Sequence, residues 1–578
     1  MAVRGIQAML EMLAGCGVRY LFGNPGTTEL PLNDALLDQQ RLNYILGLQE
    51  VSVVAMAEGY AMASGSPGVV NVHICCGLGN SMGMLYNAYR SGSPLVVTAG
   101  QQDRRLAFEE PILWGQMVEV ARPWTKWAAE IQRVEDLPSA VRRAVQTAMM
   151  PPTGPVFLSI PLDVQMAEAQ LDLTPPQLPA REVRPPIEAL RRAAEVLAAA
   201  RNPAIMAGSR VVEADAVDEL VAVAERLGAP VIGEAITTHG RCSFPAAHPL
   251  AAAPPSYLSP QVHDRLDEFD VLLIVGMKMM QQYVYQEPLR PLPAHVRLVQ
   301  LDDDQWELNK NYPLEVGMVG HPRPSLAELA AALDSVMTSR QVEAARRRAK
   351  SYGEKHAAAR EQLRREAESC RRLRPLAPLC LMESLARVLP DDVAIIEESP
   401  TTTGGYFERT GTLKNTSGYF AHRGWALGWG MNCAIGVRLA WPERPVLAVI
   451  GDGSALYGVQ GLWTAAHYKI PVTFVITNNT EYKILKDCAK VLDLPAARED
   501  RFEGLDIVSP PIDYVGLAES FGVSARRVNE PDELSDAVRR SLAGDSPQLI
   551  EVPVRRTNRH CTASTSGCAG STGTRRRE

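Results

Sequence analysis

The sequence predicts an α/β protein made of three doubly wound parallel-sheet domains. Short apolar runs alternate with helical patterns in three blocks, as expected for strands joined by crossover helices. The length of 578 residues exceeds what one core covers and indicates about three domains of roughly 150–200 residues each. Proline-rich and charged segments separate the blocks.

The first block covers residues 1–172 and contains five runs typical of buried strands. They are VRYLFG, NYILGL, VVNVHI, PLVVTAG and PVFLSIP. The stretch VSVVAMAEGYAMAS between two of these runs is typical of a helix. The proline-rich segment LTPPQLPAREVRPP comes next and predicts a domain boundary.

The second block, residues 187–335, contains the strand-like runs PAIMAG, PVIGE, VLLIVG and VRLVQLD. A charged stretch with few strand signals, residues 336–374, predicts a helical linker. The third block, residues 375–555, contains VAIIEE, PVLAVIGDGS, PVTFVITNN and PQLIEVPV.

The chain ends in a basic tail, residues 556–578, which is rich in Ser, Thr and Gly. Six arginines occur from Arg555 onward. Two interpretations stay open: a solvated, disordered end, or a segment that orders only against something negative, such as the phosphates of coenzyme A.

Composition and charge exclude several functional classes. A net charge of −7 and a pI near 5.9 argue against a nucleic-acid binder. No apolar run approaches the roughly 20 residues that span a bilayer, so no membrane association is expected. The amino terminus resembles an amphipathic helix rather than a signal peptide. Ten cysteines without C-x-x-C spacing indicate a cytoplasmic protein.

The third block contains a glycine-rich loop directly after a strand. In VLAVIGDGSALYG, the residues Gly451, Asp452, Gly453 and Ser454 allow a sharp turn and a close approach to a ligand. A dinucleotide fingerprint would need a third glycine where Leu456 stands. A P-loop would need a G-K-[ST] sequence, which is missing here.

A second polar segment follows 27 residues after Asp452, where the strand VTFVITNN ends in Asn478 and Asn479. This spacing equals one βαβ unit, so Asp452 and Asn479 are expected at the carboxyl ends of neighbouring parallel strands. Carboxylate, amide and carbonyl oxygens suit Mg²⁺ or Ca²⁺. With N–H donors from a helix start nearby, they predict a diphosphate held through a metal ion.

Three segments of the first block complete a known combination of motifs: GNPGTTELP (Gly23 to Pro31), LQEVSVVAMAEGYA (Leu48 to Ala61) and NVHICCGLGN (Asn71 to Asn80). Together with GDGS and the Asn pair, they resemble the thiamine diphosphate-dependent enzymes. The resemblance is greatest to 2-oxoacid decarboxylases of the benzoylformate decarboxylase type, and the chain is also similar to 2-hydroxyacyl-CoA lyases.

The resemblance implies thiamine diphosphate and Mg²⁺ as cofactors. It also implies that the three domains are a pyrimidine-binding, a middle and a diphosphate-binding domain. In this family the cofactor bridges the first and third domains of different subunits, which implies a homodimer or homotetramer.

The same resemblance assigns cofactor-binding roles. Glu50 would exchange a proton with the cofactor pyrimidine and so help to form the ylid. Asp452, Asn479 and the main-chain carbonyl of Glu481 would bind the metal ion. Leu427 would support the bent cofactor. The remaining residues expected at the cofactor are Gly451, Gly453, Ser454 and Thr401.

Two further residues are implied in catalysis. His73 matches the family's active-site histidine, which would transfer a proton or orient the substrate carboxylate. Thr27 stands where benzoylformate decarboxylase has a substrate-binding serine, and its hydroxyl preserves the hydrogen-bonding group.

The expected substrate pocket departs from the benzoylformate type. Tyr283 stands nearest to the position of a second histidine from the middle domain. Ile484 and Cys488 replace a small residue and an aromatic one, and the branched Ile484 argues against a phenyl-bearing substrate. Glu481 is a carboxylate where a hydroxyl is usual. Trp114 is a further candidate for the apolar lining.

The predicted function is non-oxidative decarboxylation of a 2-oxoacid through an ylid and enamine, with possible carboligation of aldehydes. The alternative is a 2-hydroxyacyl-CoA lyase that releases formyl-CoA together with a ketone or aldehyde. In that case Glu481 would be the base and the basic tail would cover the CoA. Acetolactate synthase-like ligation and a non-catalytic thiamine-binding subunit rank lower.

Overall fold

The computed structural model describes residues 2–234 and 240–556. Its three domains each contain a six-stranded sheet in which all neighbouring strands run parallel. This confirms the predicted α/β class. Except for Arg556, the basic tail lies outside the described residues. In the described ranges, no helix is long and apolar enough to cross a bilayer.

The first domain has the sheet order β3-β2-β4-β5-β7-β6, and β1 pairs antiparallel with β8 outside it. Its strands are β1 (Val3–Arg4), β2 (Tyr20–Gly23), β3 (Asn43–Leu46), β4 (Gly68–Val72), β5 (Leu95–Gln101), β6 (Trp127–Glu130), β7 (Val156–Pro161) and β8 (Glu168–Ala169). Its helices are α1 (Gly5–Gly15), α2 (Leu30–Leu36), α3 (Glu50–Ser64), α4 (Ile74–Ser91), α5 (Met117–Ala121), α6 (Leu137–Met149) and α7 (Leu162–Met166).

The middle domain has the sheet order β11-β10-β9-β12-β13-β14. Its strands are β9 (Pro203–Ala207), β10 (Val231–Gly233), β11 (Ala251–Ala252), β12 (Val271–Val275), β13 (Arg297–Asp302) and β14 (Val316–Val319). Its helices are α8 (Ile187–Ala198), α9 (Arg210–Glu213), α10 (Val217–Leu227), α11 (Ser259–Leu266) and α12 (Pro322–Val336). The long helix α13 (Ser339–Ser369) then leads to the third domain.

The third domain has the sheet order β16-β15-β17-β18-β20-β19. Its strands are β15 (Ala394–Glu398), β16 (Tyr419–Ala421), β17 (Val446–Gly451), β18 (Thr473–Asn478), β19 (Ser524–Arg527) and β20 (Gln548–Pro553). Its helices are α14 (Pro378–Ala386), α15 (Pro400–Thr403), α16 (Tyr406–Thr410), α17 (Trp429–Ala440), α18 (Asp452–Ala455), α19 (Gly461–His467), α20 (Lys483–Val491), α21 (Pro495–Arg498), α22 (Tyr514–Ser520) and α23 (Pro531–Leu542).

Helices α3 and α17 join the first and third domains through one shared apolar core. A Cβ at Gly59 would lie 2.2 Å from the carbonyl oxygen of Cys433, and one at Gly436 would lie 1.9 Å from that of Met56. Only glycine allows such close backbone contact. The two contacts also show that the helices run antiparallel, because residue numbers rise along α3 as they fall along α17.

Glu58 is a fully buried carboxyl group in this interdomain contact. It accepts hydrogen bonds from the Ser93 hydroxyl (3.1 Å) and the indole N–H of Trp429 (3.0 Å). Burial raises its pKa from 4.5 to about 7, and the hydrogen bonds only partly oppose that rise. The folded state therefore binds a proton that the unfolded chain releases.

We expect this proton to make stability depend on pH. The protonated Glu58 contributes on the order of 3 kcal/mol to the free energy of unfolding. This contribution is fully present below about pH 4.5 and is lost as the pH rises through about 7. Glu58→Gln should remove this part of the dependence, as measured by denaturant unfolding at pH 5 and pH 8. The exposed Glu225→Gln serves as control. Equal pH dependence in wild type and Glu58→Gln would contradict the assignment.

Candidate active site

Four neighbouring strands of the third domain each end in a polar residue at the same edge of the sheet. Strand β16 is followed by His422, β15 ends in Glu398, β17 is followed by Asp452, and β18 is followed by Asn479. Because Gly451 pairs with Thr477, Asp452 and Asn479 leave adjacent parallel strands, as their spacing predicts. Ligands of open α/β sheets bind at this edge.

A strained turn links Asp452 to the end of β18. Thr480 has a φ of +58°, which is uncommon for a β-branched residue and indicates a turn held by its surroundings. Its N–H donates to Asp452 Oδ2 at 2.7 Å, and the N–H of Glu481 donates to Asn479 Oδ1 at 3.0 Å. The Asp452 carboxylate therefore fixes the segment that carries the other two predicted metal ligands.

The chemistry of this donor set fits Mg²⁺ or Ca²⁺. Asp452 is 3% exposed, and burial raises the pKa of its carboxyl group to about 6, a rise that a bound cation would oppose. An aspartate, an amide and a carbonyl are hard oxygen donors. In the described ranges, no group of three His, Cys, Asp or Glu side chains is placed to hold a metal ion. An aspartate, an amide and a carbonyl leave coordination positions for phosphate oxygens, so these residues fit a Mg²⁺ ion that also binds a diphosphate.

A cavity of about 350 Å³ opens beside this donor set, and we call it the C-terminal half-site. It contains most of the predicted cofactor and pocket residues. These are Tyr283, Thr401, Leu427, Gly451, Asp452, Gly453, Ser454, Asn479, Glu481 and Ile484. Gly453 is required by space, because a Cβ there would lie 2.7 Å from the Tyr482 ring.

Glu398 holds the start of α17 and was missed by the sequence reasoning. Its carboxyl group accepts hydrogen bonds from the N–H groups of Gly428 (2.9 Å), Trp429 (3.3 Å) and Gly430 (2.8 Å). Burial raises its pKa to about 8, although these N–H groups favour the charged form. The contacts fix the residues directly after Leu427. The sequence signal that could have identified Glu398 is the carboxylate at the end of the apolar run VAIIEE.

The Glu481 side chain lies beside the cavity but is engaged in an ion pair. Lys486 Nζ donates to its Oε2 at 2.7 Å and to Asp506 Oδ1 at 2.8 Å. The side chain of Glu481 is 6% exposed. For the predicted role as a base, the Glu481 carboxylate would first have to leave its contact with Lys486.

The first domain holds a second group, the N-terminal half-site, around His73, Glu29 and Glu50. His73 Nδ1 lies 2.7 Å from Glu29 Oε2. Glu29 is 1% exposed and also accepts hydrogen bonds from the N–H groups of Gly26 (3.1 Å) and Gly100 (2.8 Å). It thereby orients the imidazole. Sequence reasoning missed Glu29, although it lies within the quoted GNPGTTELP motif.

Glu50 is the first residue of α3. Like His73, it lies near the edge of the first sheet where the strands have their carboxyl ends. Asn80 Nδ2 donates to its Oε2 at 3.1 Å, and a Cβ at Gly77 would lie 3.0 Å from its Oε1. Glu50 is 7% exposed, whereas Thr27 is exposed. The hydroxyl that lies against His73 is that of the neighbouring Thr28, whose Oγ1 is 3.3 Å from His73 Nδ1. The N-terminal half-site thus presents a buried carboxyl group, a histidine and a hydroxyl.

Two predicted pocket residues do not line the C-terminal half-site of their own chain. Trp114 lies in the first domain, one residue after Leu113, whose carbonyl oxygen is 3.6 Å from the Cys75 sulfur. Cys488 is buried, and its thiol lies near the Tyr283 hydroxyl. Tyr283 in turn stacks on Trp425 with ring centroids 5.6 Å apart.

Within one chain the two half-sites are far apart. Met56 of α3 faces Gly436 of α17, and the helices run antiparallel. Glu50 and Leu427 are therefore separated by about fifteen residues of helix, roughly 20 Å at 1.5 Å per residue. One cofactor molecule cannot contact both residues of the same chain.

Comparison with known proteins agrees with this geometry. The thiamine pyrophosphate enzyme models match in three parts: the N-terminal TPP binding domain at residues 3–113, the central domain at 190–329 and the C-terminal TPP binding domain at 405–552. Benzoylformate decarboxylase of Pseudomonas aeruginosa is 35% identical over 95% of this chain and 98% of its own length.

Two further relatives extend the comparison. A probable acetolactate synthase large subunit of Methanocaldococcus jannaschii is 26% identical over 96% of this chain and 92% of its own. The solved structure of a thiamine diphosphate-dependent 4-hydroxybenzoylformate decarboxylase from Rhodococcus jostii RHA1 superposes with a TM-score of 0.83 at 30% identity. That match covers 96% of this chain and 99% of the other.

Proposed function

The chain belongs to the thiamine pyrophosphate (thiamine diphosphate) enzymes, and on this premise we propose that it is a carbon–carbon lyase that decarboxylates a 2-oxoacid. The observation that carries this proposal is the C-terminal half-site, in which Asp452, Asn479 and the carbonyl of Glu481 lie beside a cavity lined by Leu427. The relatives named for decarboxylation of aryl 2-oxoacids support the same reaction class.

The residues of the two half-sites have different proposed roles. Asp452 and Asn479 would hold Mg²⁺ and, through it, the diphosphate. Glu50 would hold and return the proton of the pyrimidine nitrogen. Thiamine diphosphate supplies the electron sink for the broken carbon–carbon bond. His73, oriented by Glu29, would move a proton at the substrate.

A complete site requires a second subunit. Because Glu50 and Leu427 lie roughly 20 Å apart along antiparallel helices, we infer that Glu50 of one subunit completes the cavity of another. This supports a homodimer or a homotetramer built from such dimers. Cysteines without paired spacing support a cytoplasmic location.

The 2-hydroxyacyl-CoA lyase remains the second candidate, and Glu481 is the observation that favours it. Its carboxylate lies beside the cavity. Its ion pair with Lys486 weighs against a free base, since the carboxylate oxygen is already occupied by a hydrogen bond from Lys486 Nζ. The tail that would cover the CoA lies outside the described residues. Carboligation of aldehydes fits the acetolactate synthase relative.

A substrate panel tests the proposal. Protein loaded with thiamine diphosphate and Mg²⁺ is assayed for CO₂ and aldehyde with aliphatic and aryl 2-oxoacids, and for formyl-CoA with 2-hydroxyacyl-CoA thioesters. We expect turnover of 2-oxoacids, with compact side chains preferred because Ile484 narrows the cavity. Turnover of the thioesters alone would replace this proposal with the second candidate.

A further inference from the structure

His422 lies in the C-terminal half-site and has no role in the function described above. It directly follows β16 at the carboxyl edge of the sheet and lines the same cavity as Leu427 and Ile484. The neighbouring Arg423 does not line this cavity, and its Nη2 lies 3.4 Å from Glu234 Oε2. The histidine is therefore placed where a bound substrate or cofactor would meet it.

Aromatic rings hold His422 in place. Its ring stacks on Trp429, with centroids 5.5 Å apart, and lies 5.7 Å from the ring of Trp425. Trp425 has a φ of +63°, a backbone conformation that is a genuine outlier for so bulky a residue. Strain of this kind clusters at functional sites, and here it brings the Trp425 ring between His422 and Tyr283.

The two ring nitrogens of His422 differ in their surroundings. Nδ1 is inaccessible and has no hydrogen-bond partner within residues 2–234 and 240–556. Nε2 is consequently the nitrogen through which the ring can bind a molecule in the cavity. Burial lowers the pKa of His422 to about 4, so the ring is neutral at physiological pH. A neutral imidazole has one N–H donor and one acceptor.

The substrate class decides which nitrogen carries the proton. The oxo and carboxylate groups of a 2-oxoacid present only oxygen acceptors, so the N–H must be at Nε2. Nδ1 is then a buried acceptor, and buried acceptors without partners are less rare than buried donors. This tautomer therefore places the less costly unpartnered group, an acceptor, at the buried Nδ1 and presents a donor to the head group of the substrate.

We propose that His422 is a substrate-binding residue whose Nε2–H donates a hydrogen bond to the head group of the 2-oxoacid. The proposal rests on the proposed decarboxylase function and specifies its substrate contact. It also offers a reason why this chain can have Tyr283 near the position where enzymes of the benzoylformate decarboxylase type have a second histidine. In this chain the third domain supplies the imidazole, and Tyr283 contacts it indirectly through Trp425.

Two substitutions separate hydrogen bonding from packing. His422→Gln places an amide N–H near the position of Nε2 but loses the aromatic stack. His422→Phe keeps the stack on Trp429 and loses the hydrogen bond. The matched controls are His356→Gln and His356→Phe. His356 is also a buried histidine with one unpartnered nitrogen in the described part, but it lies in α13 and not in the cavity.

The probe is acetylphosphonate, the phosphonate analogue of the smallest 2-oxoacid with a side chain, which cannot lose CO₂. Its dissociation constant is measured by calorimetry on protein loaded with thiamine diphosphate and Mg²⁺. We expect His422→Phe to raise the constant about 10- to 100-fold, the effect of losing a hydrogen bond to a charged group. His422→Gln should stay within about threefold of wild type, because it retains the donor. Both His356 variants should bind as wild type does.

The outcomes are distinct. Wild-type affinity in His422→Phe together with weak binding by His422→Gln would show that the ring only packs, and would overturn the proposal. Equal loss in the His356 variants would also overturn it, by showing a general effect of replacing a buried histidine. If wild type binds no acetylphosphonate and converts no 2-oxoacid, the proposed function itself fails.

Discussion

Glu50→Gln is expected to lower kcat about 10²- to 10⁴-fold, the range for losing a positioned acid–base group. An amide has nearly the shape of the carboxyl group but cannot hold and return a proton. Glu50 is 7% exposed and contacts Asn80, so the substitution leaves the packing at the start of α3 nearly unchanged. Cofactor affinity should therefore change far less than kcat.

The measurement combines turnover of the best 2-oxoacid with calorimetric binding of thiamine diphosphate. Glu225→Gln is the control, because it changes an exposed carboxyl group on α10 outside both half-sites. We expect its kcat to stay near that of wild type. If Glu50→Gln retained full turnover, Glu50 would have no part in the proton transfer.

Asp452→Ala is expected to weaken Mg²⁺-dependent binding of thiamine diphosphate at least about 100-fold, since even outer-shell partners of metal ligands contribute 10- to 100-fold. The substitution removes one of the proposed metal ligands. It also removes the acceptor that holds the N–H of Thr480, so the segment carrying Asn479 and Glu481 loses its anchor. Both losses weaken the Mg²⁺-dependent binding of thiamine diphosphate.

Binding is measured by calorimetry with and without Mg²⁺, and also by thermal unfolding. At about 100 times the dissociation constant, the cofactor should stabilise wild type by about 2.7 kcal/mol, and Asp452→Ala should lack this gain. Asp536→Ala, an exposed position on α23, is the control. Normal Mg²⁺-dependent binding by Asp452→Ala would mean that the metal ion lies elsewhere.

Most central strands of the three sheets could be predicted from sequence, and most edge strands could not. The thirteen predicted runs correspond to β2–β5, β7, β9, β10, β12, β13, β15, β17, β18 and β20. The edge strands β6, β11, β14, β16 and β19 were missed, as were the outlying β1 and β8. A central parallel strand is covered on both faces and has a continuous apolar run. An edge strand such as β19, with the sequence SARR, is largely exposed and has no such run.

The residues of the site also fall into two groups, those that the local sequence predicts and those that it does not. Asp452, Asn479 and Glu50 belong to short motifs, and local spacing places each of them at a strand end or helix start. Glu398 and His422 become site residues only through contacts with distant segments. The former holds the N–H groups of α17, and the latter faces the cavity between Trp429 and Trp425.

The sequence alone determined the fold class, the cofactor family and the position of the loop proposed to bind the metal ion, because periodicity and motif spacing are local properties of the chain. The tertiary structure alone decided that Glu481 is paired with Lys486, and that Trp114 and Glu50 lie away from the C-terminal half-site of their own chain, Glu50 roughly 20 Å from Leu427. These facts depend on how helices and domains pack. Packing is set by the close approach of α3 and α17 at Gly59 and Gly436, which no single segment encodes.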